Sequence, residues 1–356
     1  MGLEKFQHFM LKEIYEQPEI IRRCVSNYFS TAAFQFLPTL DQVEEIQILA
    51  CGTSFHAGLI GQFLLEQVAQ IPTRVRSASE CLAAPFPLTR KTLLIVVSQS
   101  GETADVLAAM KIVRPTSSET FKVLAITNNS QSSIANAADY EICAAAGVET
   151  SVAATKTFTA QLALFYGLAF FYARQGHRLA HEQLKEWSAQ LDALPAQVEH
   201  ILQQEDTIAA IAASLKPTQS LILLGTGINY PIALEGALKL KETTYTHAEG
   251  YAAGEFLHGP IALLDQTSRA IAICPSFPQA ANAERVLKVT QSIRRNGSDV
   301  ILLGSANSAV LLPPCDELLS PFLNIIPLQL LAYHLAIARN IDVDRPRNIK
   351  KSLKSS

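Results

Sequence analysis

The sequence predicts an α/β protein built as two copies of one parallel-sheet unit. Three observations carry that expectation. Short apolar runs alternate with helical patterns along most of the chain, which implies parallel strands between helical layers, a three-layer αβα arrangement. Several runs end in small polar turns. The turns Gly52-Thr53-Ser54 and Gly225-Thr226-Gly227 occupy matching places one domain length apart, as an internal duplication requires. A single large sheet is the competing arrangement.

The elements follow in order. Residues 4–35 read as amphipathic and helical, with Phe6, Phe9, Met10, Ile14 and Tyr15 near helical spacing. A strand at 46–50 ends in Cys51-Gly52-Thr53-Ser54 and opens a helix carrying Leu59, Ile60, Phe63, Leu64 and Val68. A strand is expected near 73–76. The continuous apolar run Leu93-Leu94-Ile95-Val96-Val97 reads as a buried parallel strand. It enters Ser98-Gln99-Ser100-Gly101-Glu102-Thr103, and a helical pattern follows at 104–110. A strand at 122–127 ends in Asn128-Asn129-Ser130. A short helix, a strand at 140–144 and a long helix at 157–174 complete the first half. A polar helical stretch spans about 181–215. The pattern then restarts with a strand at 221–224, the turn Gly225–Gly227 and a helix through Ile232, Leu234, Ala237, Leu238 and Leu240. Strands at 270–274 and 300–303 end at Pro275-Ser276 and Gly304-Ser305, and a helix covers 324–338. The expected organisation is a helical segment 1–35, units 36–180 and 181–340, and a tail 341–356.

Composition limits the function classes. Of 356 residues, 49% are hydrophobic and 17% charged, so a large core forms and wholesale disorder is excluded. A net charge of -3 argues against a nucleic-acid surface. The six cysteines are scattered without a C-x-x-C pair, so neither a disulfide framework nor a zinc site is expected. A reduced, cytoplasmic setting fits this best. The start lacks the layout of a signal peptide. The most apolar segment, around 158–172, is broken by Thr, Gln and Gly and is too short to span a bilayer, so no membrane role is expected.

The turn 98–103 has the geometry of a phosphate cradle. Strand, glycine turn and helix N-terminus aim free N–H groups and the positive end of the helix dipole at an anion. The turn has no lysine, unlike an ATP-type P-loop. Its hydroxyls suit the phosphate of a small metabolite such as a sugar phosphate. An ordinary turn capped by Ser or Thr has the same pattern. Each half puts three polar turns at carboxyl ends of strands, the edge where open parallel sheets bind ligands.

The densest chemistry lies between Leu234 and Pro260. Helical spacing puts Glu235, Lys239 and Glu242 on one face. His247, Glu249, Glu255 and His258 follow. A carboxylate, a lysine and a histidine are the parts for proton transfer next to a carbonyl. The H-E-x-x-H spacing of a zinc site is absent. An exposed helix laced with Glu–Lys pairs is the bland alternative. The tail from Asp342 to Ser352 reads by composition as a frayed basic terminus. A lysine there that closes over a pocket could instead attack a ketone as a Schiff-base nucleophile.

The segments ILACGTSFHAG, VVSQSGETADVL, ETSVAATKTFTAQLALF, YPIALEGALKLKE, HAEGYAAGEFLHGP, DVDRPRN and IKKS together resemble the tandem sugar isomerase (SIS) module of the glutamine–fructose-6-phosphate aminotransferases, the glucosamine-6-phosphate synthases. The resemblance runs from Lys12 to the tail. It implies two SIS domains with parallel sheets of flavodoxin-like or Rossmann-like type, at 36–180 and 181–340. It also implies that Ser54, Ser98, Gln99, Ser100 and Thr103 bind the phosphate and hydroxyls of a hexose 6-phosphate. Cys51, Gly52, Thr53, Val152, Ala154 and Lys350 would line that pocket. Glu242 would move a proton between C1 and C2, with Lys239 beside it. His258 would open the sugar ring from the second subunit of a homodimer. Lys351 would form the Schiff base, with the tail 341–356 closing the active site. Neither a metal nor an organic cofactor is implied.

Three departures bear on the reaction. The resemblance does not include the synthases' N-terminal glutaminase domain, so glutamine is not expected as this chain's own nitrogen donor. Leu257 stands where synthases typically carry Lys, and Ala154 where they often carry Ser. Both resemble the stand-alone SIS-type glucosamine-6-phosphate deaminases. The expected activity is therefore deamination of glucosamine 6-phosphate to fructose 6-phosphate. The isomerase domain of a synthase and a non-catalytic sugar-phosphate sensor are the alternatives.

Overall fold

The continuous apolar run at 93–97 needs burial on both faces, and the computed structural model gives it that. The structure describes residues 6–30, 32–88, 91–114, 121–265, 268–274, 281–305 and 307–351. In chain order the elements are α1 (Phe9–Tyr15), α2 (Gln17–Tyr28), β1 (Glu45–Ala50), α3 (Gly52–Gln67), β2 (Thr73–Ser77), α4 (Ala78–Ala83), β3 (Thr92–Ser98), α5 (Ala104–Val113), β4 (Phe121–Thr127), α6 (Ser133–Ala137), β5 (Tyr140–Cys143), α7 (Lys156–Gln175), α8 (His181–Leu202), α9 (Glu205–Ser214), β6 (Ser220–Gly225), α10 (Tyr230–Thr244), β7 (His247–Ala252), α11 (Ala253–Phe256), β8 (Arg269–Ile273), α12 (Ala281–Arg295), β9 (Asp299–Gly304), β10 (Val310–Leu311) and α13 (Pro321–Ala338). They fall into two compact units. One holds 19–149, 156–189 and 350–351; the other holds 6–18, 150–155 and 190–349.

The first unit carries a parallel sheet in the order β2-β1-β3-β4-β5. β3 is central and all seven of its residues are buried. On one face Leu49, Leu94, Val96, Val123 and Ala125 pack with Val106, Ala109 and Met110 of α5 and Ile134 of α6. On the other face α3 lies against β1 and β3, and α7 packs on α3. Nearly every residue of α7 is buried, which explains its apolar sequence.

The second unit carries a parallel sheet in the order β10-β9-β8-β6-β7. Counted by its own strands, this is the same winding as the first. The duplication is therefore topological, and the single-sheet arrangement is excluded. Ile222, Leu224, Ala270, Ala272, Val300 and Leu302 pack with Phe256 of α11 and Val286, Val289 and Ile293 of α12.

Several local expectations change. The helical stretch at 4–35 is two helices, which break near Pro18 and end at Tyr28. The stretch at 181–215 is also two. Strand β7 escapes sequence reading because it is a polar edge strand, bonded to β6 alone in the sheet, without an apolar run. The apolar extreme lies at Glu317–Ala338 rather than 158–172. That stretch is long and apolar enough to cross a membrane, but 83% of its apolar window is buried, as in a core helix. The turn Pro275-Ser276 lies outside the described residues.

Candidate active site

The winding of the first sheet reverses between β1 and β3. In such sheets the loops leaving those two strands part at their carboxyl ends and open a ligand crevice. β1 runs through Cys51 into α3, which starts at Gly52 with φ +55°. β3 runs into 98–103 and α5. The hydroxyls of Ser98 and Thr103 are 2.7 Å apart, and Gly101 N donates to Ser98 Oγ at 3.1 Å. Glu102 N donates to Ser100 Oγ at 3.1 Å. The loop after β4 supports this turn: Asn128 N donates to Gln99 O, and Ile134 N to Gly101 O, each at 3.0 Å. The Glu102 carboxylate accepts from Ser133 N and Oγ, both at 2.8 Å, so α6 engages it. Neither N-cap, Cys51 nor Thr103, makes a side-chain capping bond. The first-turn N–H groups of α3 and α5 can therefore serve an anion.

Ser54 is almost buried, and its Oγ accepts from Gln161 Nε2 at 3.0 Å. Sequence reasoning did not single out Gln161. The available signal was an amide inside an otherwise apolar helix. Burial pushes the Cys51 thiol up, so this residue offers the crevice a neutral thiol.

Gly101 has φ +68°, and a Cβ there would lie 2.0 Å from Ser132 Oγ. Ser132 is fully buried and caps α6. Gly101→Ala is expected to cost roughly 1–3 kcal/mol of stability from backbone strain and overlap. It should also weaken binding of inorganic phosphate at this turn at least tenfold, because the turn must move. Calorimetric titration and urea denaturation check both. Unchanged affinity would remove this turn from the ligand site.

In the second unit, α10 starts with Pro231 in its first turn and buries Ile232, Ala233, Ala237 and Leu240. Lys239 Nζ lies 3.3 Å from Glu235 Oε1 and 2.6 Å from Glu242 Oε2. Glu235 and Lys239 are fully buried, while Glu242 keeps 19% side-chain exposure. The exposed-helix alternative is thereby excluded. Burial alone would lower the Lys239 pKa, but the charges of Glu235 and Glu242 outweigh it and raise it. Lys239 is thus a fixed ammonium rather than a base. Of the three groups, Glu242 is the one whose side chain keeps exposure.

His258 follows α11 in a turn before Gly259. Its side chain is exposed, as are Leu257 and Leu263. Val152 and Ala154 are half-buried, and Val152 N donates to Asp344 O at 3.3 Å. The Glu13 carboxylate, another residue missed in the sequence, accepts from Thr150 N and Ser151 N. The tail is anchored rather than frayed through 347. The Asp344 carboxylate caps α1, accepting from Phe9 N at 2.8 Å and Met10 N at 2.9 Å. The Arg347 guanidinium stacks 4.0 Å from the Tyr245 ring centroid, and Arg347 N donates to Tyr245 Oη.

In the first unit, Glu149 is buried and accepts from Thr157 N at 3.2 Å and Thr157 Oγ1 at 2.7 Å. Lys351 Nζ lies 3.4 Å from its Oε2. Lys350 is exposed. Among the described residues, no group of His, Cys, Asp and Glu could hold a metal ion.

Two doubly wound sheets of one topology, the first with a hydroxyl-lined glycine turn at its switch point, define a tandem α/β protein. The chain belongs to the SIS domain family, whose model matches residues 39–170 and 214–339. It is homologous to the isomerase half of the glutamine–fructose-6-phosphate aminotransferases. It is 48% identical to the isomerizing enzyme of Thermosynechococcus vestitus, across 98% of this chain and 59% of that protein. Identity to the Methanosarcina acetivorans enzyme is 41%, across 98% and 58%. The chain thus spans about three fifths of the length of these curated relatives. The C-terminal domain of glucosamine-fructose-6-phosphate aminotransferase from Francisella tularensis superposes with a TM-score of 0.89 at 32% identity, covering 97% of this chain and all (100%) of that one. A glucosamine-6-phosphate deaminase from Thermotoga maritima shares the fold, with a TM-score of 0.78 at 24% identity, covering 97% and 99%.

Proposed function

We infer that this chain is an amino-sugar-phosphate enzyme that interconverts fructose 6-phosphate and glucosamine 6-phosphate. The first-unit turns hold the sugar phosphate through Ser54, Ser98, Gln99, Ser100, Thr103 and the first-turn N–H groups beside them. Cys51, Gly52, Thr53, Val152, Ala154 and Lys350 complete the pocket. His258, supplied by the second subunit of a homodimer, opens the ring. Lys351 forms an imine with the C2 ketone, and Glu242 carries a proton between C1 and C2. The observation that carries this reading is Lys239, fully buried between Glu235 and Glu242. A receptor that only binds a sugar phosphate has no need of such a cluster. A cytoplasmic setting fits the six free thiols, three of which burial pushes up to about 11 or 12.

Net deamination is the second reading, favoured by Leu257 and Ala154. One assay separates the readings. The purified chain is incubated with glucosamine 6-phosphate, and ammonia and fructose 6-phosphate are measured. It is also incubated with fructose 6-phosphate, and glucose 6-phosphate is measured. Ammonia release supports a deaminase. Isomerisation without ammonia chemistry supports a synthase-type isomerase module. Tight binding with no product in either assay would sink the enzymatic reading and leave a sensor.

A further inference from the structure

We propose that Glu149 is a catalytic carboxylate that serves Lys351 as its proton acceptor and donor. The inference rests on reading Lys351 as the imine-forming lysine. A protonated lysine cannot attack a ketone; it must first lose a proton to a nearby base. Glu149 Oε2 is 3.4 Å from Lys351 Nζ. The carboxylate has no freedom to swing away, because Thr157 N and Oγ1 hold it at the first turn of α7, and its side chain is fully buried. The Lys351 side chain keeps 25% exposure, whereas that of Glu149 has none. The two Thr157 donors use one carboxylate oxygen each, and an amide would keep the second contact only with the Thr157 hydroxyl turned to accept. The charge and basicity of a carboxylate are what the lysine requires.

The chemistry balances with these two groups. Glu149 takes one proton from the Lys351 ammonium. The freed amine attacks C2, the C–N bond forms, and the nitrogen's second proton passes to the former carbonyl oxygen to give a carbinolamine. Protonated Glu149 then returns its proton to that hydroxyl as the C–O bond breaks. The products are the protonated imine, one water and the original carboxylate. The charge lost from the ammonium reappears on the iminium, and no other reagent is consumed.

The test traps the imine directly. Fructose 6-phosphate is added with borohydride, and the reduced adduct on Lys351 is quantified over time by peptide mass mapping. Wild type should label at Lys351. Glu149→Gln keeps the size of the side chain and the bond from Thr157 N, with the Thr157 hydroxyl turned to accept from the amide, and should label roughly 10²-fold more slowly, with fructose 6-phosphate affinity unchanged. Glu149→Asp, which keeps the carboxylate but shortens its reach, should fall between. The pH profile of trapping should move in Glu149→Gln, because Lys351 loses the charge beside it, which a merely structural role would not produce. If the wild type labels and Glu149→Gln labels equally fast, the Glu149 role is wrong and the Lys351 reading stands. If the wild type never labels, the Lys351 reading itself falls. Thr157→Val loosens Glu149 without removing it and should slow labelling severalfold; wild-type speed there would also count against the inference.

Discussion

Glu242→Gln is expected to reduce kcat by roughly 10²–10⁴ while fructose 6-phosphate binds as in wild type. The change removes a proton acceptor and little else. Lys239 Nζ, 2.6 Å from the carboxylate, can still donate to the amide oxygen. Glu242 is partly exposed, so the neutral variant should stay within about 1 kcal/mol of wild-type stability. On the proposed reading, in which Glu242 carries a proton between C1 and C2, kcat and kcat/KM should fall together. Steady-state kinetics with a calorimetric binding control measures this. A loss of less than tenfold would show that another group moves the proton.

Lys239→Met is expected to produce the largest stability loss, about 3–5 kcal/mol. Methionine fits the space of the lysine stem but takes the cation from Glu235, whose side chain is fully buried. A loss of that size is a large part of the 5–15 kcal/mol typical of a folded protein. Urea denaturation should show a lower midpoint with an unchanged slope. Adding Glu235→Gln should recover much of the loss, because the second change removes the stranded charge, and the two effects should be strongly non-additive. The folded-state pKa of Lys239 is raised above its unfolded value. Its contribution is therefore whole below about pH 10 and disappears only as pH climbs through the folded value. A loss under 1 kcal/mol would mean that water reaches the cluster.

The sequence by itself determined the buried strands and the duplication. β3, β4, β6 and β8 are buried on both faces, so each needs a continuous apolar run, and such runs are visible without a structure. The hydroxyl turn at 98–103 was equally legible, because a small polar run with a glycine must break the strand before the helix can start. Helical spacing alone placed Glu235, Lys239 and Glu242 on one stripe.

Three features were decided only by tertiary structure. Spacing gives the same stripe to an exposed ion-pair ladder and to a buried ionic cluster; the packing of α10 made Lys239 fully buried. Polar edge strand β7 has no hydrophobic period and exists because β6 offers it a ladder. Glu149 meets Lys351, and Glu13 meets the loop at 150–151, across separations that no local pattern encodes. A strand or helix is set by neighbours a few residues away. A carboxylate's partner is set by how distant segments pack, and only the folded chain brings those partners within hydrogen-bonding distance.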